Sequence, residues 1–123
     1  MQKQLLALVA LASLSTSASA MPVSTFLNKM DQLTKEGAMA TATSDAALLK
    51  KELQDDAAAL RAERLAAIQA GQTPAYCPDA SAAPLTIEDL VGGLKGVPEA
   101  QRGKTEVKDA LRSFMAKRFP CKE

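Results

Sequence analysis

The side chains with the most chemical potential are two cysteines, two adjacent carboxylate pairs and one basic run. They are Cys77 and Cys121, Asp55-Asp56 and Glu88-Asp89, and Arg112 to Lys122 with Phe114 and Phe119 interleaved. Histidine is absent, which removes His-based general acid–base catalysis, His-activated nucleophiles and His-containing metal sites. Neighbouring residues on a helix point about 100° apart, so neither carboxylate pair forms a shared acid–base site, and solvated or capping roles are expected. Neither a Gly-x-Ser-x-Gly elbow nor a phosphate-cradling glycine motif occurs, and calcium loops and zinc spacings are missing. The sequence therefore reads as a non-enzyme, with no catalytic residue, no cofactor and no metal. The basic run could suggest nucleic acid, which needs a basic stripe with stacking aromatics. At helical spacing, however, Phe114 belongs to an apolar face, and the bland reading is core plus solvated lysines and arginines.

The redox state of the cysteines depends on compartment. Lys3 supplies a positive n-region, Leu5 to Leu14 is an apolar run broken only by Ser13, and Ala18-Ser19-Ala20 has the small-x-small pattern of a cleavage site. The expected organisation is a signal peptide over residues 1–20 and a single helical domain over 21–123, with Met21 as the mature N-terminus. The apolar run gives way to Ser/Thr short of the ~20 residues a membrane span needs, although an uncleaved anchor is the alternative. No cysteine follows the cleavage site to carry a lipid, and no later segment is apolar enough to span a bilayer, so no membrane anchor is expected after cleavage. A periplasmic or secreted location follows. From Met21 on, 14 Lys/Arg face 14 Asp/Glu, and this neutrality disfavours a nucleic-acid or anionic-membrane binder.

In an oxidising compartment Cys77 and Cys121 should pair, because two thiols allow one intramolecular connectivity. A redox pair or intermolecular bridges are the alternatives; the 44-residue separation is unlike Cys-x-x-Cys. Closing such a loop should stabilise the fold by about 4 kcal/mol on chain-entropy grounds. That is needed, since Leu, Ile, Val and Phe make up only about a fifth of the residues from Met21 on, near the level at which chains stay disordered.

The elements that must position these residues form an all-α fold, a small bundle of about four helices, one of them long. A first helix is expected over about Ser24–Glu36, with Phe26, Leu27, Met30 and Leu33 on one face and Gly37 as its stop. Residues 37–44 read as a connector. Ser44 is the expected N-cap of a long helix over about Asp45–Ala70, in which Leu49, Leu53, Leu60 and Ile68, with Ala57 between, make a narrow stripe, while Asp56 and Glu63 interrupt any sustained heptad and disfavour a long coiled coil. A helix this long in so small a domain should project or pack on a second copy. Pro74 to Pro84 should be a loop. Thr86 and Asp89 then form a capping box, with Leu85 and Leu90 placed to staple it, opening a short helix stopped by Gly96 and Pro98. Gly92-Gly93 inside it would permit close helix approach. Thr105 is expected to cap a last helix ending near Arg118, with Val107, Leu111, Phe114 and Met115 on its apolar face and Pro120 as terminator. If the last two helices form an antiparallel hairpin, the cysteines lie at the same end, within the ~7 Å between Cα atoms that a bridge requires.

Tyr76-Cys77-Pro78, a capped helix, the Pro- and Arg-containing Val97–Arg102 loop, and a helix closing with Arg118-Phe119-Pro120-Cys121 together resemble the Rap/Tai-type immunity proteins of type VI secretion systems. The resemblance covers roughly residues 75–121. It implies a small exported helical protein with Cys77 and Cys121 bridged. It further implies a homodimer that binds and blocks a peptidoglycan-cleaving amidase effector in the periplasm. Occluding an enzyme cleft calls for a rigid protruding element, and the Gly96–Lys104 loop is the candidate, stiffened by Pro98 and anchored by a helix at each end. Glu99, Gln101, Arg102 and Lys104 would supply its polar contacts; the plainer reading is a mere connection between helices. Two other classes stand beside this one: a periplasmic acid-stress holdase chaperone, and a structural helical domain.

Overall fold

The computed structural model describes residues 20–37 and 43–122. The expected signal peptide, apart from Ala20, and residues 38–42 of the expected connector lie outside them. Four helices follow in order: α1 (Val23–Glu36), α2 (Ser44–Gln69), α3 (Ile87–Lys95) and α4 (Val107–Arg118), with a 3-10 turn at Glu99–Gln101 between the last two. No strand occurs among the described residues. The architecture is the expected all-α one. Val23 and Phe26 of α1, Leu94 of α3, and Val107 and Leu111 of α4 are fully buried, and Leu49, Leu53 and Leu60 of α2 close the core from one side.

Local signals account for most boundaries. Gly37 ends α1 where expected, with φ 77° and ψ −151°, a positive-φ conformation open to glycine but not the left-handed helical one. At α3 the capping box is complete: Asp89 N–H donates to Thr86 Oγ1 at 3.1 Å, and Thr86 N–H to Asp89 Oδ2 at 3.0 Å. Two caps differ from expectation. α2 is capped by Thr43, whose Oγ1 accepts from Ala46 N–H at 3.2 Å, so Ser44 is its first helical residue. At α4, Glu106 takes the cap position without a side-chain bond, and Thr105 Oγ1 instead donates to Gln101 O. The reason is tertiary: Val107 N–H is satisfied at 2.9 Å by the carbonyl of Met21, and Val23 N–H donates to Thr105 O at 2.8 Å. The extended segment before α1 thus does for α4 what a cap would otherwise do.

The α3–α4 hairpin is closed as its signals require. A Cβ added at Gly93 would lie 2.7 Å from Phe114 Cγ, so the glycine permits the close approach of the two helices, whereas Gly92 faces open space. Cys77 and Cys121 are bridged, with Cα atoms 4.9 Å apart, and Cys77 N–H donates to Phe119 O at 2.8 Å beside the bridge. The long α2 departs from its expected stripe. Leu49, Leu53 and Leu60 are buried, but Ile68 is 51% exposed and Leu65 49%. At ~1.5 Å per residue α2 is more than twice as long as α4, so its last turns run beyond the core.

Candidate partner-binding surface

The loop from Gly96 to Lys104 is built as a rigid surface. Gln101 N–H donates to Pro98 O at 2.8 Å, closing the 3-10 turn, and Lys104 N–H donates to Gln101 O at 3.0 Å. The Arg102 guanidinium turns back into the loop, with Nε donating to Val97 O at 2.9 Å and Nη2 to Lys95 O at 2.8 Å. Its own carbonyl accepts from Ser24 N–H at 3.0 Å, tying the loop to α1. Of the four residues expected to make polar contacts, Glu99, Gln101 and Lys104 are exposed, while Arg102 is partly buried and spends its donors on loop closure. Sequence patterning places an arginine in the loop but not the direction in which its side chain folds.

Two depressions flank the hairpin. One, of about 690 Å³, lies against the loop and is bounded by Glu88 and Asp89 at the start of α3 and Lys117 and Arg118 at the end of α4, the mixed-charge rim an antiparallel pair creates. The other, of about 440 Å³, is more apolar, with Leu60, Tyr76, Leu90 and Met115 among its walls and Arg61 and Arg64 beside them. Arg64 lies over the Tyr76 ring, 6.0 Å from its centroid.

On the opposite side of α2, charge organises the seam with α4. Arg112 donates through Nε and Nη2 to both oxygens of Glu63, at 3.0 and 2.9 Å, and through Nη1 to Asp109 at 2.7 Å. Lys108 Nζ stands 3.7 Å from Glu63. The hydrogen bonds from Arg112 hold the Glu63 carboxyl below the usual range, and those to Glu63 and Asp109 raise the guanidinium further. Glu63, read in the sequence as an interruption of any sustained heptad, is therefore a partner of α4. Asp56 behaves differently. Burial, and then the neighbouring Glu52 carboxyl, push it up to about 7. Its Oδ2 is sealed from solvent with no donor. The sequence signal was available, since Glu52 and Asp56 are like charges at i, i+4.

Among the described residues no cluster of three or more His, Cys, Asp or Glu side chains is arranged to hold a metal ion, and no helix is long and apolar enough to cross a membrane. No protein-family model, curated protein or solved structure matches the chain.

Proposed function

We propose that this chain is an exported, non-enzymatic protein-binding domain, and that it acts as an immunity-type inhibitor occluding the cleft of a peptidoglycan amidase. One observation carries the reading: the Gly96–Lys104 loop is held by Arg102 through two backbone carbonyls, while Glu99, Gln101 and Lys104 are left free on its surface. A surface already locked in one conformation loses little ordering entropy on binding, which is what an inhibitor of a cleft enzyme needs. The disulfide suits an oxidising compartment outside the cytoplasm.

The test is inhibition of peptidoglycan hydrolysis by a panel of secreted amidases, with affinity read by calorimetry. The triple variant Glu99→Ala, Gln101→Ala and Lys104→Ala should bind more than about 30-fold more weakly at an unchanged melting temperature. Binding by the triple variant at full strength removes the loop from the interface, and failure to inhibit any amidase removes the reading.

The holdase reading draws on the seam between α2 and α4. Protonating Glu63 discharges its pairs with Arg112 and Lys108, loosening that seam in acid. Suppression of client aggregation at low pH, without amidase binding, would favour it.

A further inference from the structure

The start of the described chain lies against a small acidic cavity. Ala20 and Met21 line a space of about 200 Å³ together with Glu52, Asp55 and Asp56 of α2 and Glu106 and Lys108 at the start of α4. Met21 cannot swing out of it freely. Its carbonyl accepts from Val107 N–H, Val23 N–H donates to Thr105 O, and Pro22 pairs as an isolated bridge with Glu106. Four carboxyl groups therefore face one lysine. Asp55 is already paired with Lys51, and Lys108 is shared with Glu63. Oδ2 of Asp56 is sealed in without a hydrogen-bond donor. A buried acceptor left unsatisfied is costly, and Asp56 lacks a positively charged donor: Lys108, the one cation lining the cavity, does not give it one.

The chain contains the means to supply one. Hydrolysis of the Ala20–Met21 amide by a leader peptidase adds water across the C–N bond. Ala20 leaves as a carboxylate, and the Met21 amine takes up a proton at neutral pH. We propose that the α-ammonium of Met21, created by this cleavage, occupies the cavity and ion-pairs with Asp56 and Glu52, so that removal of the leader completes the packing of α2 against α4. The inference rests on the export reading above, which places the cut after Ala20. The occupant is an ammonium on the chain's own backbone, delivered to the acidic wall by the bonds that hold residues 21–23. In the uncut chain the same nitrogen is a neutral amide, so the precursor lacks this contribution while it is being translocated and acquires it afterwards.

The groups facing the new terminus are Glu52, Asp55 and Asp56 from α2 and Glu106 and Lys108 from the start of α4. The carboxylates outnumber the lysine, so the α-amine should titrate above its ordinary range. A group whose folded pKa is raised contributes stability fully below its unfolded pKa, and that contribution is lost as pH rises through the folded value.

Two disulfide-intact chains test this: one released from a fusion to begin at Met21, and one retaining Ala18–Ala20. With the α-amine labelled by ¹³C reductive methylation, NMR titration of the Met21 chain should place it at least about one pH unit above the ordinary ~8. The Met21 chain should also melt several degrees above the extended one near pH 7, and Glu52→Gln with Asp56→Asn should abolish both differences. An ordinary α-amine titration and coincident melts overturn the occupancy. The mass of the chain exported from the full precursor reports separately on the cut. Cleavage elsewhere overturns the maturation step through the export reading, and cleavage after Ala20 with an ordinary amine overturns it through the cavity.

Discussion

The two helical pairings of this molecule are held in different ways. α3 and α4 are short, and they are joined by a disulfide at one end, a pinned loop at the other and a glycine–phenylalanine contact between them. α2 is longer than both together, yet it is held by three buried leucines and a set of partly exposed ion pairs. The hairpin is a clamped unit whose geometry leaves little freedom. The long helix is a lid whose grip ends before its C-terminus does. Covalent closure and steric fit do most where the apolar area is smallest, and in a domain with so few large side chains that division matters.

Breaking the clamp should have the largest effect. Replacing Cys77 and Cys121 with alanine releases a 44-residue loop and should cost about 4 kcal/mol, read as a fall in denaturation midpoint. Within α2, Leu60→Ala should cost about 3 kcal/mol while Ile68→Ala changes stability by less than about 0.5, because only the first leaves a cavity. Equal losses at the two sites would mean that the end of α2 is covered in solution. In the hairpin, Gly93→Ala should destabilise by about 1–3 kcal/mol, since its new methyl group meets the Phe114 ring. Gly92→Ala, facing open space, should instead stabilise by up to about 1 kcal/mol through helix propensity.

The smallest effect belongs to the seam's charges. Glu63 has a depressed folded pKa, so its contribution is present above the unfolded carboxylate value and lost as pH falls through the folded one. With Glu63 and Arg112 both partly solvated, the loss should be below about 1 kcal/mol, and Glu63→Gln should remove that acid limb of the melting profile. Asp56 has the opposite sign. In a chain that retains Ala20 its folded pKa is raised to about 7, so stability should decline as pH rises through that value, and Asp56→Asn should flatten the decline.

The hairpin was more legible in the sequence than the lid, for a physical reason. A capping box, a glycine stop, a proline terminator and a cysteine pair are local or binary signals, and Thr86, Asp89, Gly96, Cys77 and Cys121 all act where their types imply. What escaped depends on contacts between segments far apart in the chain. Thr105 looked like a cap because serine and threonine before an apolar run usually are. The Met21 carbonyl, more than eighty residues upstream, took that role. Ile68 matched the stripe, but periodicity says which face an apolar residue occupies and not where the neighbouring helix ends. The candidate surface divides the same way: the loop's position was readable, while the inward turn of Arg102 was not. The carboxylates around Met21 were scattered over two helices and came together only on folding.

The acceptors that hold Arg102 are main-chain oxygens, at Lys95 and Val97, and every residue type carries one. The neighbours Glu99, Gln101 and Lys104 can therefore be exchanged for other side chains without disturbing the scaffold beneath them. On the proposed inhibitor reading, a tip whose chemistry can drift while its shape stays constant would suit following a changing target, one substitution at a time.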